Sequence, residues 1–242
     1  MNVEANLAAL RKSAPPGTGL AVGLGTGLTP GYKVYEAPVG EVAVIFTPEG
    51  VNSVRLAEEV DPAAVEANPP RAWATLIPRA LEAGKPGDLP LDLRSVTPFR
   101  RQVLARATTI PRGEVRSYGW LAHHVGKPGA ARAVGSAMAG NPVPLIVPCH
   151  RVVRSDGHIG AYSLGGPHNK WILLESEGAQ PEHLEELANS GVRYLGSDTT
   201  GVYCVPSCHH ATRITRRHLH SFRSSEEARE AGFRPCRVCR PS

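Results

Sequence analysis

Cysteines are the residues of this chain whose type and spacing point most directly to chemistry. The chain has five, and Cys149 stands alone in its middle, followed directly by His150. A thiolate is a nucleophile and a nearby imidazole can act as its base, so the pair could carry out a covalent transfer. Neighbours in sequence need not face the same cavity, and the alternative is a small buried cysteine beside a surface histidine. The pair by itself is therefore only a weak indication of a nucleophile.

The other four cysteines lie near the C-terminal end of the sequence in a metal-binding pattern. They form a C-x3-C pair and a C-x2-C pair, Cys204, Cys208, Cys236 and Cys239. Four thiolates suit tetrahedral zinc, and a segment this short needs a metal to fold. Two disulfides or reactive thiols are the alternatives, but the sequence starts without a basic region and apolar core typical of a signal peptide. The pattern predicts a Zn²⁺ site.

Composition and charge indicate what kind of protein this is and which partners it could bind. Of 242 residues, 41% are hydrophobic and 20% are charged, as in an ordinary globular protein. No run of about 18 apolar residues is present, so we expect no membrane partner. The net charge is +5 and the pI is near 9.1, which is compatible with a polyanionic partner.

Periodicity predicts mixed α and β structure. Apolar residues alternate from Tyr32 to Leu56, and two turns break this run, which predicts an antiparallel meander of about three strands. A short strand is predicted over Leu89–Leu93. Helices are predicted over Ala72–Ala83, from Thr97 to about Ala107, over Gly119–Val125, Ala130–Ala139 and Lys170–Glu177, and from Pro181 to about Ser190. The helices on either side of Lys127-Pro128-Gly129 indicate a helix-turn-helix.

The sequence around Cys149 carries a specific resemblance. Residues 141–153 read Asn-Pro-Val-Pro-Leu-Ile-Val-Pro-Cys-His-Arg-Val-Val. This string resembles the active-site segment of the O6-alkylguanine-DNA alkyltransferases, the methylated-DNA–protein-cysteine methyltransferases, and the resemblance extends over roughly residues 32–180. It implies a DNA-repair enzyme that flips an alkylated guanine out of double-stranded DNA. The enzyme then transfers the O6-alkyl group to Cys149 once, with O4-alkylthymine as a further candidate substrate.

The resemblance also implies roles for the residues around the acceptor. His150 is expected to act as the base through a water, and Glu177 to orient His150, giving a triad with Cys149. Asn141 is expected to brace the turn that holds the cysteine. Tyr118 is expected to hydrogen-bond the guanine and to help the leaving base take up a proton.

Further residues are expected to contact the DNA. Arg132 matches the arginine that fills the space of the flipped nucleotide, from a helix of small residues that can enter the minor groove. Its alternative is a solvated helix arginine. The loop Tyr162–Gly166 is one residue longer than the Tyr-Ser-Gly-Gly common in the family. The other predicted contacts with the base or the DNA are Pro144, Arg151, Tyr162 and Ser163.

The four-cysteine segment carries a second resemblance. Residues 199–208 and 231–239 are similar to the metal-binding domain of the adaptive-response protein Ada. This implies that zinc-bound Cys204 can accept a methyl group from a DNA phosphotriester; the alternative is a purely structural ligand. The family places this module first, before an AraC-type DNA-binding domain, and here it comes last. We therefore expect phosphotriester repair or plain DNA binding rather than a transcriptional switch.

Together these features predict an α+β protein. The expected segments are a flexible lead-in (1–31), a ribonuclease-H-like domain with a small antiparallel sheet (32–94), a winged helix-turn-helix catalytic domain (95–180), a linker (181–196) and a zinc module (197–242). We expect a monomer in the cytoplasm, associated with the nucleoid. The alternative functions are a non-catalytic lesion sensor, which the presence of Cys149 disfavours, and a methylation-responsive regulator.

Overall fold

An antiparallel sheet opens the part of the chain that the computed structural model describes, residues 30–61 and 64–241. Strands β1 (Gly31–Ala37), β2 (Gly40–Thr47) and β3 (Gly50–Leu56) form the predicted meander. A fourth strand, β4 (Val65–Glu66), lies parallel to β1, so the order is β3-β2-β1-β4. The meander prediction is confirmed. The predicted lead-in lies outside the described residues, apart from its last two positions.

The segment after the sheet is more irregular than predicted. Turns of 3-10 helix at Ala57–Glu59 and Arg71–Trp73 precede helix α1 (Leu76–Ala83). The helix begins four residues later than predicted because Pro78 cannot donate a backbone hydrogen bond and fits only within a first turn. The predicted strand over Leu89–Leu93 is reduced to one bridge between Leu91 and Val51, since Pro90 likewise lacks an N–H.

Helices dominate the middle of the chain and pack around a shared apolar core. They are α2 (Pro98–Ala107), α3 (Tyr118–His124), α4 (Ala131–Ala139), α5 (Gly166–Ser176) and α6 (Pro181–Asn189). The Thr97 side chain caps α2 and the Ser117 side chain caps α3, because each oxygen accepts a hydrogen bond from the backbone N–H of the third residue on. Strands β5 (Arg116–Ser117) and β6 (Val152–Val153) form a parallel pair beside them.

Two predicted boundaries differ from the structure. Helix α5 starts at Gly166, four residues before the predicted Lys170, because Pro167 fits the first turn of a helix. Residues 181–196, predicted as a linker that begins with a helix, contain the predicted helix as α6 and, in addition, most of strand β7 (Tyr194–Ser197). The apolar residues of α6 pack on neighbouring elements, which a free linker would not do.

The C-terminal part forms a second small sheet around the cysteines. Strands β8 (Val202–Cys204), β9 (Leu219–Phe222) and β10 (Arg234–Pro235) join β7 in the order β10-β8-β7-β9. Turns of 3-10 helix at Ala211–Arg213 and Arg216–His218 and the helix α7 (Ser225–Glu230) complete it. No helix in residues 30–61 and 64–241 is long and apolar enough to cross a membrane.

Candidate active site and metal centre

Cys149 is buried at the start of a 3-10 turn, Cys149–Arg151, and is 4% exposed. The loop before it is held by the Asn141 side chain, whose Oδ1 accepts from the Val143 N–H at 3.1 Å. The amide nitrogen of Asn141 donates to the Val147 carbonyl at 2.9 Å and to the Cys149 Sγ at 3.1 Å. One side chain therefore both shapes the loop and contacts the sulfur.

The N-terminal sheet also supports this loop. The Val54 N–H of strand β3 donates to the Pro142 carbonyl at 2.9 Å. Pro144 is buried within the loop, where it bridges to Val147. Leu145 adopts a positive φ of 70°, an uncommon conformation for a side chain other than glycine. These contacts fix the backbone immediately before Cys149.

His150 and Glu177 form a buried pair next to the thiol. His150 Nε2 lies 2.9 Å from Glu177 Oε1. A carboxylate only accepts hydrogen bonds, so Nε2 carries the proton and Nδ1 is left with a free lone pair. Within the described residues, the buried Nδ1 has no hydrogen-bond partner. The imidazole is therefore arranged to receive a proton at Nδ1.

Burial sets the protonation states of these groups. It raises the pKa of the Cys149 thiol, against the opposing effects of the Asn141 hydrogen bond and the Lys170 charge. It lowers the pKa of His150, although the bond to Glu177 favours the charged ring. Burial alone would raise the pKa of Glu177, but the hydrogen bonds from His150 and Arg151 lower it to about 2. The resting site thus holds a neutral thiol, a neutral imidazole and a carboxylate.

Arg151 corrects one prediction from the sequence. Its side chain is 0% exposed, so it cannot contact DNA. The guanidinium forms a two-pronged ion pair with Glu177, with Nε to Oε2 at 2.9 Å and Nη2 to Oε1 at 2.7 Å. It also donates to the Ile110 carbonyl at 2.9 Å and to the Ala83 carbonyl at 3.1 Å. Arg151 therefore anchors the carboxylate that holds His150.

Two tyrosines are placed near the acceptor. The Tyr162 ring packs edge-on to His150 with centroids 6.2 Å apart. Burial raises the pKa of Tyr162 well above its usual value, and so does the nearby Cys149. Half-buried Tyr118, the first residue of α3, has its pKa raised by burial and by the same thiol. Ser163 is exposed beside Tyr162.

Arg132 lies apart from this cluster, on the outer face of α4. That helix buries Val134, Ala137 and Met138. Arg132 is exposed, and so are its small neighbours Ala133, Ser136 and Ala139. The exposed face thus combines one long cation with small side chains, as a helix that approaches DNA closely requires.

Lys170 is a buried residue of the site that was not predicted from the sequence. Its side chain is 0% exposed, and Nζ donates to the Val152 carbonyl at 2.6 Å and to the Ala161 carbonyl at 3.4 Å. It thereby ties the strand after Cys149 to the loop that carries Tyr162. Burial lowers its pKa to about 8. Lysine is normally a surface residue, so nothing local in the sequence indicates this position.

The four C-terminal cysteines come together as predicted. All four are buried, and their sulfur atoms lie within 4.8 Å of one another. That spacing fits four sulfur ligands at about 2.3 Å from one tetrahedral zinc ion. The cluster can therefore hold a metal ion.

A cavity of about 540 Å³ opens beside this cluster. Cys204 and Cys236 reach its wall, whereas Cys208 and Cys239 do not. Basic and hydroxyl side chains line the rest of the wall, among them His210, Arg213, His218, Arg234, Arg237, Thr199, Thr200 and Thr215. The cavity is suited to a phosphate group lying close to Cys204.

Both the Cys149 region and the four-cysteine segment match known protein families. Residues 98–179 match the family model described as the DNA-binding domain of 6-O-methylguanine DNA methyltransferase. Residues 186–242 match the model described as the metal-binding domain of Ada.

Named relatives align with most of the chain before the cysteine module. The methylated-DNA–protein-cysteine methyltransferase of Mycobacterium tuberculosis is 38% identical over 152 residues, 60% of this chain and 91% of the relative. The Mus musculus protein of the same name is 38% identical over 170 residues, 61% of this chain and 81% of the relative. The crystal structure of M. tuberculosis OGT in complex with DNA covers 64% of this chain and 98% of its own, with 34% identity and a TM-score of 0.51. This chain belongs to the methylated-DNA–protein-cysteine methyltransferases.

Proposed function

We propose that this chain performs direct-reversal DNA repair, in which Cys149 takes the alkyl group from O6-alkylguanine in double-stranded DNA. The observation that carries the proposal is the network of side-chain contacts around the Cys149 sulfur. Asn141 holds Sγ, and Glu177 holds His150 with its Nδ1 free. O4-alkylthymine is a further candidate substrate. The thioether formed is stable, so each molecule acts once.

The side chains at the site account for each bond and proton in the transfer. The thiol proton passes to His150 Nδ1, through a water, and the thiolate attacks the alkyl carbon. The S–C bond forms as the C–O6 bond breaks, and the electron pair of the broken bond stays with the guanine. The guanine takes up one proton from the Tyr118 hydroxyl, and the proton held by His150 returns through water to restore the tyrosine. Glu177 stabilises the imidazolium that forms.

DNA binding is assigned to the outer face of α4 and to the acceptor pocket. We propose that α4 enters the minor groove and that Arg132 occupies the space of the flipped nucleotide. Tyr162 packs on the base, Ser163 donates to O6, and Pro144 forms part of the pocket wall. The α3–turn–α4 unit with the β5–β6 pair supports a winged helix-turn-helix over residues 95–180. The meander sheet supports a ribonuclease-H-like domain over residues 32–94.

Peptide mass spectrometry tests the acceptor. We expect a mass gain of one methyl group on Cys149 after mixing with duplex DNA that contains O6-methylguanine. Cys149→Ala serves as the matched control and should gain none. If the unmodified chain binds the lesion tightly and gains no mass, the protein is a lesion sensor and the proposal is wrong.

We further propose that the four cysteines hold Zn²⁺ and that Cys204 is a second acceptor, for methyl groups on DNA phosphotriesters. Bound zinc keeps the sulfurs as thiolates. Cys204 reaches the cavity wall, and Arg213, Arg234 and Arg237 line the same cavity. The arginines would hold the phosphate while the methyl carbon bonds to sulfur, and the freed phosphodiester leaves with the C–O electron pair.

The second acceptor needs a substrate of its own. Duplex DNA carrying methylphosphotriesters and no alkylated base should place one methyl group on Cys204, as seen in the tryptic peptide. The same DNA without phosphotriesters is the control. No methyl group on Cys204 would leave it as a metal ligand only.

We propose a monomer that works on chromosomal DNA in the cytoplasm, associated with the nucleoid and without a membrane partner. Light scattering on the eluting protein should give the monomer mass of 25.8 kDa. A dimer mass would contradict the first of these statements.

A further inference from the structure

The cysteine module and the alkyltransferase region meet at a specific set of contacts, here called the seam. The Ser207 hydroxyl accepts from the Val115 N–H at 3.2 Å and donates to the Val115 carbonyl at 2.9 Å. The Trp120 indole N–H donates to the Cys239 carbonyl at 2.9 Å. The His209 N–H donates to Glu114 Oε1 at 3.4 Å. The seam joins residues that are about a hundred positions apart in the chain.

The seam is buried and charged. Glu114 and Arg116 form a buried ion pair, and Arg116 also donates to the Val115 carbonyl. The Arg116 guanidinium lies 5.7 Å from the centre of the Trp120 ring, and that of Arg106 lies 5.4 Å from it. The Trp120 ring also belongs to the apolar core of the alkyltransferase region. The seam therefore connects that core directly to the module.

On the module side, the seam atoms lie at or next to two of the metal ligands. Ser207 precedes Cys208, His209 follows it, and the Trp120 acceptor is the carbonyl of Cys239 itself. Loops that carry thiolate ligands keep their shape only while the metal holds the sulfurs together. The position of these seam atoms therefore depends on the metal.

On the alkyltransferase side, the seam leads to the acceptor site. Val115 precedes strand β5, which pairs with β6, and β6 directly follows the Cys149–Arg151 turn. Ser117 caps α3, and Tyr118 is the first residue of that helix, two positions before Trp120. A shift at the seam would move Tyr118 and the strand after Cys149.

We propose that the cysteine module is a metal-dependent brace for the alkyltransferase, which holds residues 114–120 and through them Tyr118. The proposal rests on the proposed function, since its consequence is a faster transfer to Cys149. Trp120 and Ser207 are then positioning residues, and the module serves both acceptors. Loss of the metal would loosen the seam and slow the alkylguanine reaction at a distance.

Seam variants in the full, zinc-loaded chain test the brace. Trp120→Phe keeps an aromatic side chain, although a smaller one, and removes the donor, and Ser207→Ala removes the hydroxyl from the other side. Each should slow transfer from O6-methylguanine DNA to Cys149 about tenfold, because small misplacements of catalytic groups are costly. Trp73→Phe and Ser190→Ala, half-buried and exposed positions away from the seam, are the matched controls and should keep the full rate.

Chelation completes the design. Removing the metal from the unaltered chain should slow the transfer by a similar factor. In Trp120→Phe, chelation should slow the transfer little further, because both changes break the same interaction. Hydrogen exchange supplies a readout independent of activity, since the Val115 amide should lose protection in Ser207→Ala and after chelation. Unchanged rate and exchange after chelation would overturn the brace. If the zinc-loaded chain transfers nothing to Cys149, the proposed function fails, while exchange at Val115 still decides the brace.

Discussion

The Glu177 carboxylate serves two buried partners, His150 and Arg151, and its replacement should affect both reaction and stability. Glu177→Gln keeps the shape of the side chain and leaves Arg151 with an unpaired buried charge. We expect about 3 kcal/mol less stability in urea unfolding and a transfer rate about a hundredfold lower. Glu175→Gln, exposed on the same helix, is the control. Equal rates for the two variants would contradict the role of Glu177.

The same carboxylate makes stability depend on pH. The pKa of Glu177 is lowered from 4.5 to about 2 in the folded protein. The unfolded chain therefore binds this proton more readily, and the stabilisation is complete above about pH 4.5 and is lost as the pH falls toward 2. The unfolding free energy of the unaltered protein should fall more steeply across this window than that of Glu177→Gln. Parallel curves would show that other groups dominate.

Lys170 is buried, and its ammonium group holds the strand after Cys149 and the Tyr162 loop together through two hydrogen bonds. Lys170→Met fills the same space and removes both hydrogen bonds. We expect transfer to slow about tenfold, since the loop over the base loses its support. Single-turnover kinetics measures this, with Lys127→Met at an exposed turn as the control. An unchanged rate would show that packing alone orders the loop.

At the scale of elements, the end of α1 is fitted to the active site. Gly84 ends the helix at φ +63°, and a Cβ there would lie 2.4 Å from Arg151 Nη2. Gly87 also has a positive φ, +55°, with nothing within 4 Å of a Cβ. Gly84→Ala should therefore cost about 1–2 kcal/mol more than Gly87→Ala, since only the first adds a collision to the backbone strain. Thermal unfolding of the two variants measures the difference.

Local patterns in the sequence were sufficient for the elements near the site. Alternation predicted the meander, and α2 and α3 begin within one residue of the predicted Thr97 and Gly119. The boundaries that differ involve proline, because Pro78 and Pro167 fit only the first turn of a helix and Pro90 interrupts a strand. Helix α6 was also predicted locally, whereas β7 forms through pairing with β8 and β9, which no pattern within residues 190–197 indicates.

Site residues were predicted where they lie close to Cys149 in the sequence or where the family resemblance implies them. The segment from Asn141 to His150 carries its own signal. Burial of Arg151 depends on Glu177, which lies 26 positions away, so no local pattern separates it from a DNA-binding arginine. The seam between Trp120 and Cys239 spans 119 positions, and neither residue type indicates it.

At the scale of the whole molecule, the positive charge beside Cys204 should dominate non-specific DNA binding. Arg213, Arg234 and Arg237 are exposed and line one cavity. Replacing all three by alanine should reduce the slope of log affinity against log salt by about 2 to 3, because each phosphate contact releases about one counterion. Titrations of duplex DNA at several salt concentrations measure the slope.

A control separates this surface from net charge. The triple replacement of exposed Arg55, Arg71 and Arg79, near the N-terminal sheet, removes the same charge. It should leave the slope close to that of the unaltered protein. Equal reductions in the two triple variants would assign the effect to net charge and not to the cavity.

The setting of Trp120 has an optical consequence. Its ring stacks on His124 at 3.9 Å between centroids, lies near two guanidinium groups and is 8% exposed. Such neighbours quench indole emission, and the exclusion of water keeps its wavelength short. When the seam opens, Trp120 meets water and its emission moves to the red, whereas Trp73 and Trp171 keep their surroundings. The protein thus contains its own unlabelled fluorescent reporter of whether its two parts are joined.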